Sequence, residues 1–419
     1  MRSAFAPLWP LAILGSIGVG CSANDGTPVG GWTDAGIDVS EVGADGHSLD
    51  SPFVDASGCI EDGSLITIEP DEDHDGDGWS VSDGDCNDCD INANPGAYDV
   101  AGNGVDEDCS GEVDDEVVSC DQSIALLTNV PEDGARAMGL CRFAKENPTA
   151  PADRSWGVVA SSFVLADGTL GMNYASRGVL TDFGPNVRPQ EGSALLALSS
   201  AAARRPGDPD YTSPIGGDMG TSSPTPTGWP RDFPSCPQPI DPIPVANDSA
   251  ALSLRIRVPT NAHALSFRFS FYTTEFPAWV CHQYNDYFVA LLASSADNPL
   301  MQGGNISFDG QGNPISVNTA LLEVCRSQVV EEKPFGCLLG DAALAGNGFG
   351  PSNDEPRGHG ATGWLETSAA VVPGELIELR FAIWDAGDHT QGSTVLIDDF
   401  RWIAEEGVEA GTVRVPSPK

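Results

Sequence analysis

The chain has 419 residues, with 61 acidic against 20 basic side chains, a formal net charge of −41 and eleven cysteines. That length allows two or three ordinary domains or one large β-domain with appendages. A surface this acidic repels nucleic acid and anionic lipid and attracts cations, so nucleic-acid binding is excluded as a function class.

The N-terminus reads "MRSAFAPLWPLAILGSIGVGC" (1–21). One arginine precedes an apolar run broken by Pro7 and Pro10, short of the ~20 apolar residues that a membrane span needs, so it reads as a secretory signal. The ending "IGVGC" resembles a bacterial lipobox with Gly18 where leucine is usual. The expectation is lipidation of Cys21 and an exported lipoprotein of the outer membrane or cell surface. Ten other cysteines remain, and an even number in an exported chain implies disulfides. Connectivity is open in the sequence; the pairs we expect are Cys86–Cys109, Cys325–Cys337 and Cys120–Cys141. Residues 22–58 are Gly, Asp, Ser and Ala with almost no periodicity, which predicts a flexible acidic linker.

The segment 59–119 holds "DHDGDGWSVSDGDCNDCD" (73–90), with seven aspartates and no lysine or arginine. Like charges about 5 Å apart repel by roughly 0.8 kcal/mol in water, and about 3 kcal/mol at an effective dielectric near 20. A calcium loop needs oxygen ligands at positions 1, 3 and 5, a glycine at 6 and a carbonyl at 7. Asp73, Asp75, Asp77, Gly78 and the Trp79 carbonyl fit that spacing, with Asp83 and Asp85 where the loop returns. A second copy runs Asp106, Asp108, Ser110 and Gly111, followed by Asp114 and Asp115. No position-12 glutamate is present, so neither copy is a standard EF-hand. Rival readings are a disordered acidic tract, zinc at the "CNDC" of 86–89, and copper through His74. Hard oxygen donors and export favour calcium with disulfides. The stretch resembles the MopE-like metal-binding motif of exported bacterial proteins, whose common form is DxDGDG, DCDDxDP, PGAxE and NGxDxDCDG. Cys89 and Ser110 depart from it.

After Cys120 the pattern changes. "LSLRIRV" (252–258), "LSFRFSF" (265–271) and "IELRFAIW" (377–384) alternate apolar and polar residues, and "YFVALLAS" and "STVLIDDFRWI" read as further strands. Period-two alternation separated by Pro, Gly and Asn clusters predicts an all-β, antiparallel β-sandwich of jelly-roll or lectin-like type, with one sheet face buried and the other wet. The proline-rich stretch 204–244 reads as a long loop, and 405–419 as a C-terminal tail.

Residues 120–404 resemble the choice-of-anchor L domain of bacterial surface proteins. The resemblance rests on "AMGLC" (137–141), "WGVVASSFV" (156–164), "FSFYTTEFPAWVCHQYNDYFVALL" (269–292), "ISFDGQGNPISVN" (306–318), "GATGWLETSAAVVPGELIELRFAIWDAGD" (360–388) and "STVLIDDFRW" (393–402). It implies a β-sandwich presented outside the cytoplasm and no assigned activity. No GxSxG, HExxH or P-loop pattern occurs, and His263, His282, His359 and His389 are scattered singly, so no catalytic residue is expected. A second cation site in the sandwich is conceivable at Glu275, Asn285, Asp286, Asp385 and Asp388, with Asp398 and Asp399 nearby. Trp279, Tyr284 and Tyr287 could stack on sugar rings or fill the core, and Trp364, Trp384 and Trp402 read as core. The function expected is a calcium-binding, membrane-anchored surface protein with a non-enzymatic adhesion or recognition module for a glycan or protein ligand. The alternative is an extracellular glycan-binding or glycan-hydrolysing protein.

Overall fold

The computed structural model describes residues 58–61, 64–115, 118–231, 234, 236, 243–330, 333–353 and 355–415. The signal, Cys21 and the linker up to residue 57 lie outside them. Almost all the regular structure is antiparallel β. The one α-helix among the described residues is the single turn and a half Pro131–Arg136, started by a proline in its first turn where no N–H is missed. No described helix is long and apolar enough to cross a membrane.

Two sheets make the sandwich. The first runs in the order Ile315–Ser316, Tyr287–Ala293, Leu376–Asp385, Val245–Arg257, Gly157–Val164. The second runs Gly411–Arg414, Leu365–Ala370, Ala264–Thr273, Ser393–Ile403, Leu195–Ser199, Arg177–Leu180. The three alternating stretches supply the facing inner rows. Leu252, Leu254, Ile256 and Val258, then Leu265, Phe267, Phe269 and Phe271, then Ile377, Leu379, Phe381 and Ile383 all join one buried core. Phe267 meets Phe381 edge-on at 4.8 Å across that core, an arrangement aromatic quadrupoles favour. Each such fully buried side chain contributes about 1.5–3 kcal/mol of transfer free energy.

The outer faces are not wet throughout, as the alternation had suggested. The proline-rich loop, part of which pairs as strand Ser222–Pro224 with Val245–Arg257, lays Trp229 over the outer face of the first sheet. There it packs at 6.2 Å from Trp384 and 6.0 Å from Tyr287. On the second sheet Phe349 and Leu344 cover Tyr272, Leu195 and Leu396. Trp384 is therefore buried on the outside of its sheet, while Trp364 and Trp402 are partly buried against other clusters. Gly411–Arg414 pairs with Leu365–Ala370, so part of the expected tail is a sandwich strand. The acidic segment belongs to the same compact unit as the sandwich.

Five disulfides close: Cys59–Cys89, Cys86–Cys109, Cys120–Cys141, Cys236–Cys281 and Cys325–Cys337. They use every cysteine except Cys21.

Candidate metal centre

The acidic segment has little regular structure, and its own aspartates hold its shape. In the first loop Asp73 accepts the N–H groups of Gly76 at 2.7 Å and Gly78 at 2.9 Å. Gly78 sits at φ +97°, a left-handed turn that needs glycine, and it falls at position 6 of the loop. Asp75 accepts from the N–H of Asp77 at 3.1 Å, Asp77 from Trp79 at 2.8 Å, and Asp85 from Asn87 at 2.8 Å. Asp88 accepts from the His74 N–H at 2.8 Å.

A common pattern follows. Asp75, Asp77, Asp85 and Asp88 each commit Oδ1 to a backbone N–H, while the Oδ2 of all four is buried with no hydrogen-bond partner. Asp85 is 3% exposed and Asp88 1%. Carboxylate oxygens of Asp73, Asp75 and Asp88 lie within 4.8 Å of one another, as do those of Asp75, Asp77 and Asp85, so Asp75 joins two overlapping groups. No described lysine or arginine forms an ion pair with any of them. Desolvation by burial pushes Asp77 up to about 7 and Asp85 to about 6, with neighbouring carboxylates adding to it, and raises Asp75 in the same way. Buried carboxylates left like this either hold protons or share a cation.

The donor set fits a hard divalent cation. Calcium takes six to eight oxygens and is indifferent to exact angles. Cys86 is bridged to Cys109 and Cys89 to Cys59, so neither sulfur of "CNDC" is a free thiolate in this arrangement. His74 contributes its backbone N–H to the loop.

One aspartate expected as a ligand lies outside both carboxylate groups. Asp83 ends the short 3-10 turn Val81–Asp83 and joins neither group, whereas Asp88 joins one of them. Trp79 is 3% exposed, and the guanidinium of Arg154 lies 5.9 Å from its ring centroid. Asp88 was missed because the loop template ends before it, although the DCDDxDP form of the motif marks that position as acidic.

The second loop repeats the backbone pattern. Asp106 accepts from Ser110 at 3.0 Å and Gly111 at 2.9 Å, and Asp108 from Ser110 at 3.0 Å. Several of its carboxylates, however, are already engaged. Asp114 caps three N–H groups, those of Gly102, Asn103 and Gly104. Asp108 pairs with Arg142 at 3.3 Å. The group that converges here is Asp99, Asp108 and Asp115, and Asp99 already accepts from Glu107 and Asp115 N–H groups. Ser110 accepts from Glu112 at 3.2 Å where the first loop has a third carboxylate. Among the described residues, none of the buried, unpartnered oxygens belongs to this second loop. Asp106, Asp108, Ser110 and Asp114 thus hold backbone N–H groups of the loop, while Asp108 and Asp115 converge with Asp99.

In the sandwich, Glu275 and Asp286 are 2% and 0% exposed, and Glu275 accepts the Asp286 N–H at 2.8 Å. Burial raises both carboxyls well above the ordinary range, and Asp385 to about 7. The five expected ligands do not converge. Asn285 is turned to Asn318 at 3.2 Å, and Asp388 is exposed, bonded to Thr390. The compact group in that corner is Asp218, Asp248 and His389, and there Asp248 and His389 bond to each other at 2.8 Å. Asp398 and Asp399 sit at a register shift in strand Ser393–Ile403 that turns both inward. Asp398 accepts from Gln190, and Asp399 pairs with Arg268 and Arg401.

Residues 219–400 match the model of the Choice-of-anchor L domain, a narrower span than the sequence suggested. No curated protein matches the chain. Solved structures that are similar include three that each cover 58% of this chain. TmCBM61 in complex with beta-1,4-galactotriose shares 9% identity over 88% of that chain, at a TM-score of 0.23. The K2 cleaved adhesin domain of Lys-gingipain shares 13% over 88%, also at 0.23. The enzymatically active domain of bacteriophage CBA120 tailspike protein 4 shares 11% over 19%, at 0.18.

Proposed function

We propose that this chain is an exported surface protein, anchored by lipid at Cys21, whose acidic segment binds one divalent cation, calcium by its all-oxygen donor set. Its sandwich serves recognition or adhesion without catalysis. The observation that carries the metal assignment is the set of four unpartnered Oδ2 atoms on Asp75, Asp77, Asp85 and Asp88. A bound cation supplies the positive charge that lets those carboxylates stay ionised in a buried loop. The five disulfides support an oxidising, extracytoplasmic compartment. Calorimetric titration of the full chain tests the metal, with saturation expected at roughly 0.1–1 mM, the range of extracellular calcium modules. Membrane fractionation of Cys21→Ser tests the anchor, and retention of the variant in membranes contradicts it.

A glycan ligand is favoured by one observation. The loop closed by Cys236–Cys281 carries Trp279 packed edge-on to His282 and Tyr284, at the rim of a cleft of about 290 Å³ that also includes Arg357 and His359. Glycan-array binding without release of reducing ends supports a binding module. Reducing-end release supports the hydrolase alternative.

A further inference from the structure

A second cleft, of about 320 Å³, opens where the metal loop meets the sandwich. It is lined by Asp77, Gly78 and Trp79 of the acidic segment and by Arg154, Arg257 and Thr260 from beyond it. In a chain of net charge −41, two arginines face this one cleft, and among the described residues neither forms an ion pair with a carboxylate. Both are held in place by neutral acceptors. Arg154 donates to the Gly78 carbonyl at 2.9 Å while lying over the Trp79 ring. Arg257 donates to the carbonyls of Lys145 at 3.0 Å, Ser155 at 3.3 Å and Glu146 at 2.9 Å. These bonds orient the two guanidinium groups beside the cleft.

Asp77 belongs to both features. It lines the cleft and is a member of the Asp75–Asp77–Asp85 group. With those three carboxylates ionised and unneutralised, the cleft mouth carries more negative than positive charge. With them neutralised, the two guanidinium groups dominate. Guanidinium groups recognise oxyanions through paired N–H donors. The volume lies at the low end of ligand sites, room for one or two sugar rings, and Thr260 adds a hydroxyl to the lining. The chain's overall negative field disfavours long polyanions.

We propose that this cleft binds the carboxylate of an acidic sugar through Arg154 and Arg257, and that cation occupancy of the adjoining aspartate group makes it receptive. The coupling rests on the metal reading of the preceding section; the arginine cleft itself does not.

The test is calorimetric titration of the full chain with sodium glucuronate, in about 1 mM calcium and in chelator, after calcium binding has been titrated separately. Expected are saturable glucuronate binding in calcium, a loss of about tenfold or more in chelator, the same loss in Arg154→Gln, and no binding of glucose. Arg257→Lys, which keeps the charge but not the fork, is expected to weaken glucuronate binding while calcium binding is retained. Glucuronate affinity untouched by Arg154→Gln overturns the site. Equal displacement by acetate overturns the sugar assignment. Normal calcium binding with glucuronate affinity independent of it overturns the coupling. A flat calcium titration instead overturns the metal reading, whatever glucuronate does.

Discussion

Asp73 and Asp106 do the same work in two loops: each takes the backbone N–H of the glycine five residues on, Gly78 and Gly111, both at 2.9 Å. The loops diverge in what their other carboxylates have left to offer. In the first, four Oδ2 atoms are buried and unpartnered; in the second, Asp108 faces Arg142 and Asp114 is bound to three amides. One dominant calcium site is therefore expected. Asp75→Ala and Asp88→Asn should each lower affinity by about tenfold or more, roughly the 1.4 kcal/mol or above that losing one charged ligand implies. Asp83→Ala and Asp108→Ala should leave the dominant isotherm in place. Calorimetry on the four variants checks the ranking.

The site should respond to pH in opposite directions with and without metal. Burial raises Asp77 from the ordinary 3.8 to about 7 and Asp85 to about 6. A carboxyl raised in the folded state binds more protons there than in the unfolded chain. In metal-free protein its stabilising contribution is complete below about pH 4 and is lost as pH rises through about 6 to 7. Calcium must displace those protons, so affinity should rise across the same window and level off above it. Melting in chelator and calcium titration, each from pH 5 to 8, read the two slopes; parallel slopes contradict the assignment.

The bridge Cys86–Cys109 ties the two loops together, and Cys59–Cys89 holds the far side of the first. Asp85 and Asp88 are neighbours of bridged cysteines. The double substitution Cys86→Ser, Cys109→Ser should destabilise the chain by about 2–4 kcal/mol. It should also shrink the rise in melting temperature that calcium produces, because the ligands are no longer held together before binding. Differential scanning calorimetry with and without calcium measures both effects.

The acidic segment is docked on the sandwich, and single contacts fix it there. Trp156 donates its indole N–H to the Ala97 carbonyl at 2.6 Å, and Asn261 exchanges two bonds with the Tyr98 backbone at 3.0 and 2.8 Å. A Cβ on Gly96 would stand 3.0 Å from Asn94 Oδ1, 3.1 Å from the Thr260 methyl and 3.2 Å from the Trp79 ring. Gly96→Ala and Trp156→Phe should each loosen the segment at a cost of about 1–3 kcal/mol. Limited proteolysis should then cut between residues 64 and 115 while the sandwich stays intact.

The sandwich was legible because three strands keep strict alternation and their apolar rows meet in one core. What the alternation could not show was the outer cover, since Trp229 and Phe349 arrive from irregular loops far away in sequence. In the first acidic loop, the turn geometry at Asp73, Asp75, Asp77 and Gly78 was readable because local hydrogen bonds set it. Asp88 was not, because the disulfides that bring it back to Asp73 and Asp75 act at long range. The second loop looked equivalent in sequence, yet Arg142, beyond the segment, occupies its Asp108.

The most direct test of the central claim is calcium titration of the oxidised full chain at pH 7.5, wild type beside Asp75→Ala. The account predicts one saturable site at roughly 0.1–1 mM in the wild type and none of comparable affinity in the variant. Identical isotherms, or no binding by either chain, would contradict it.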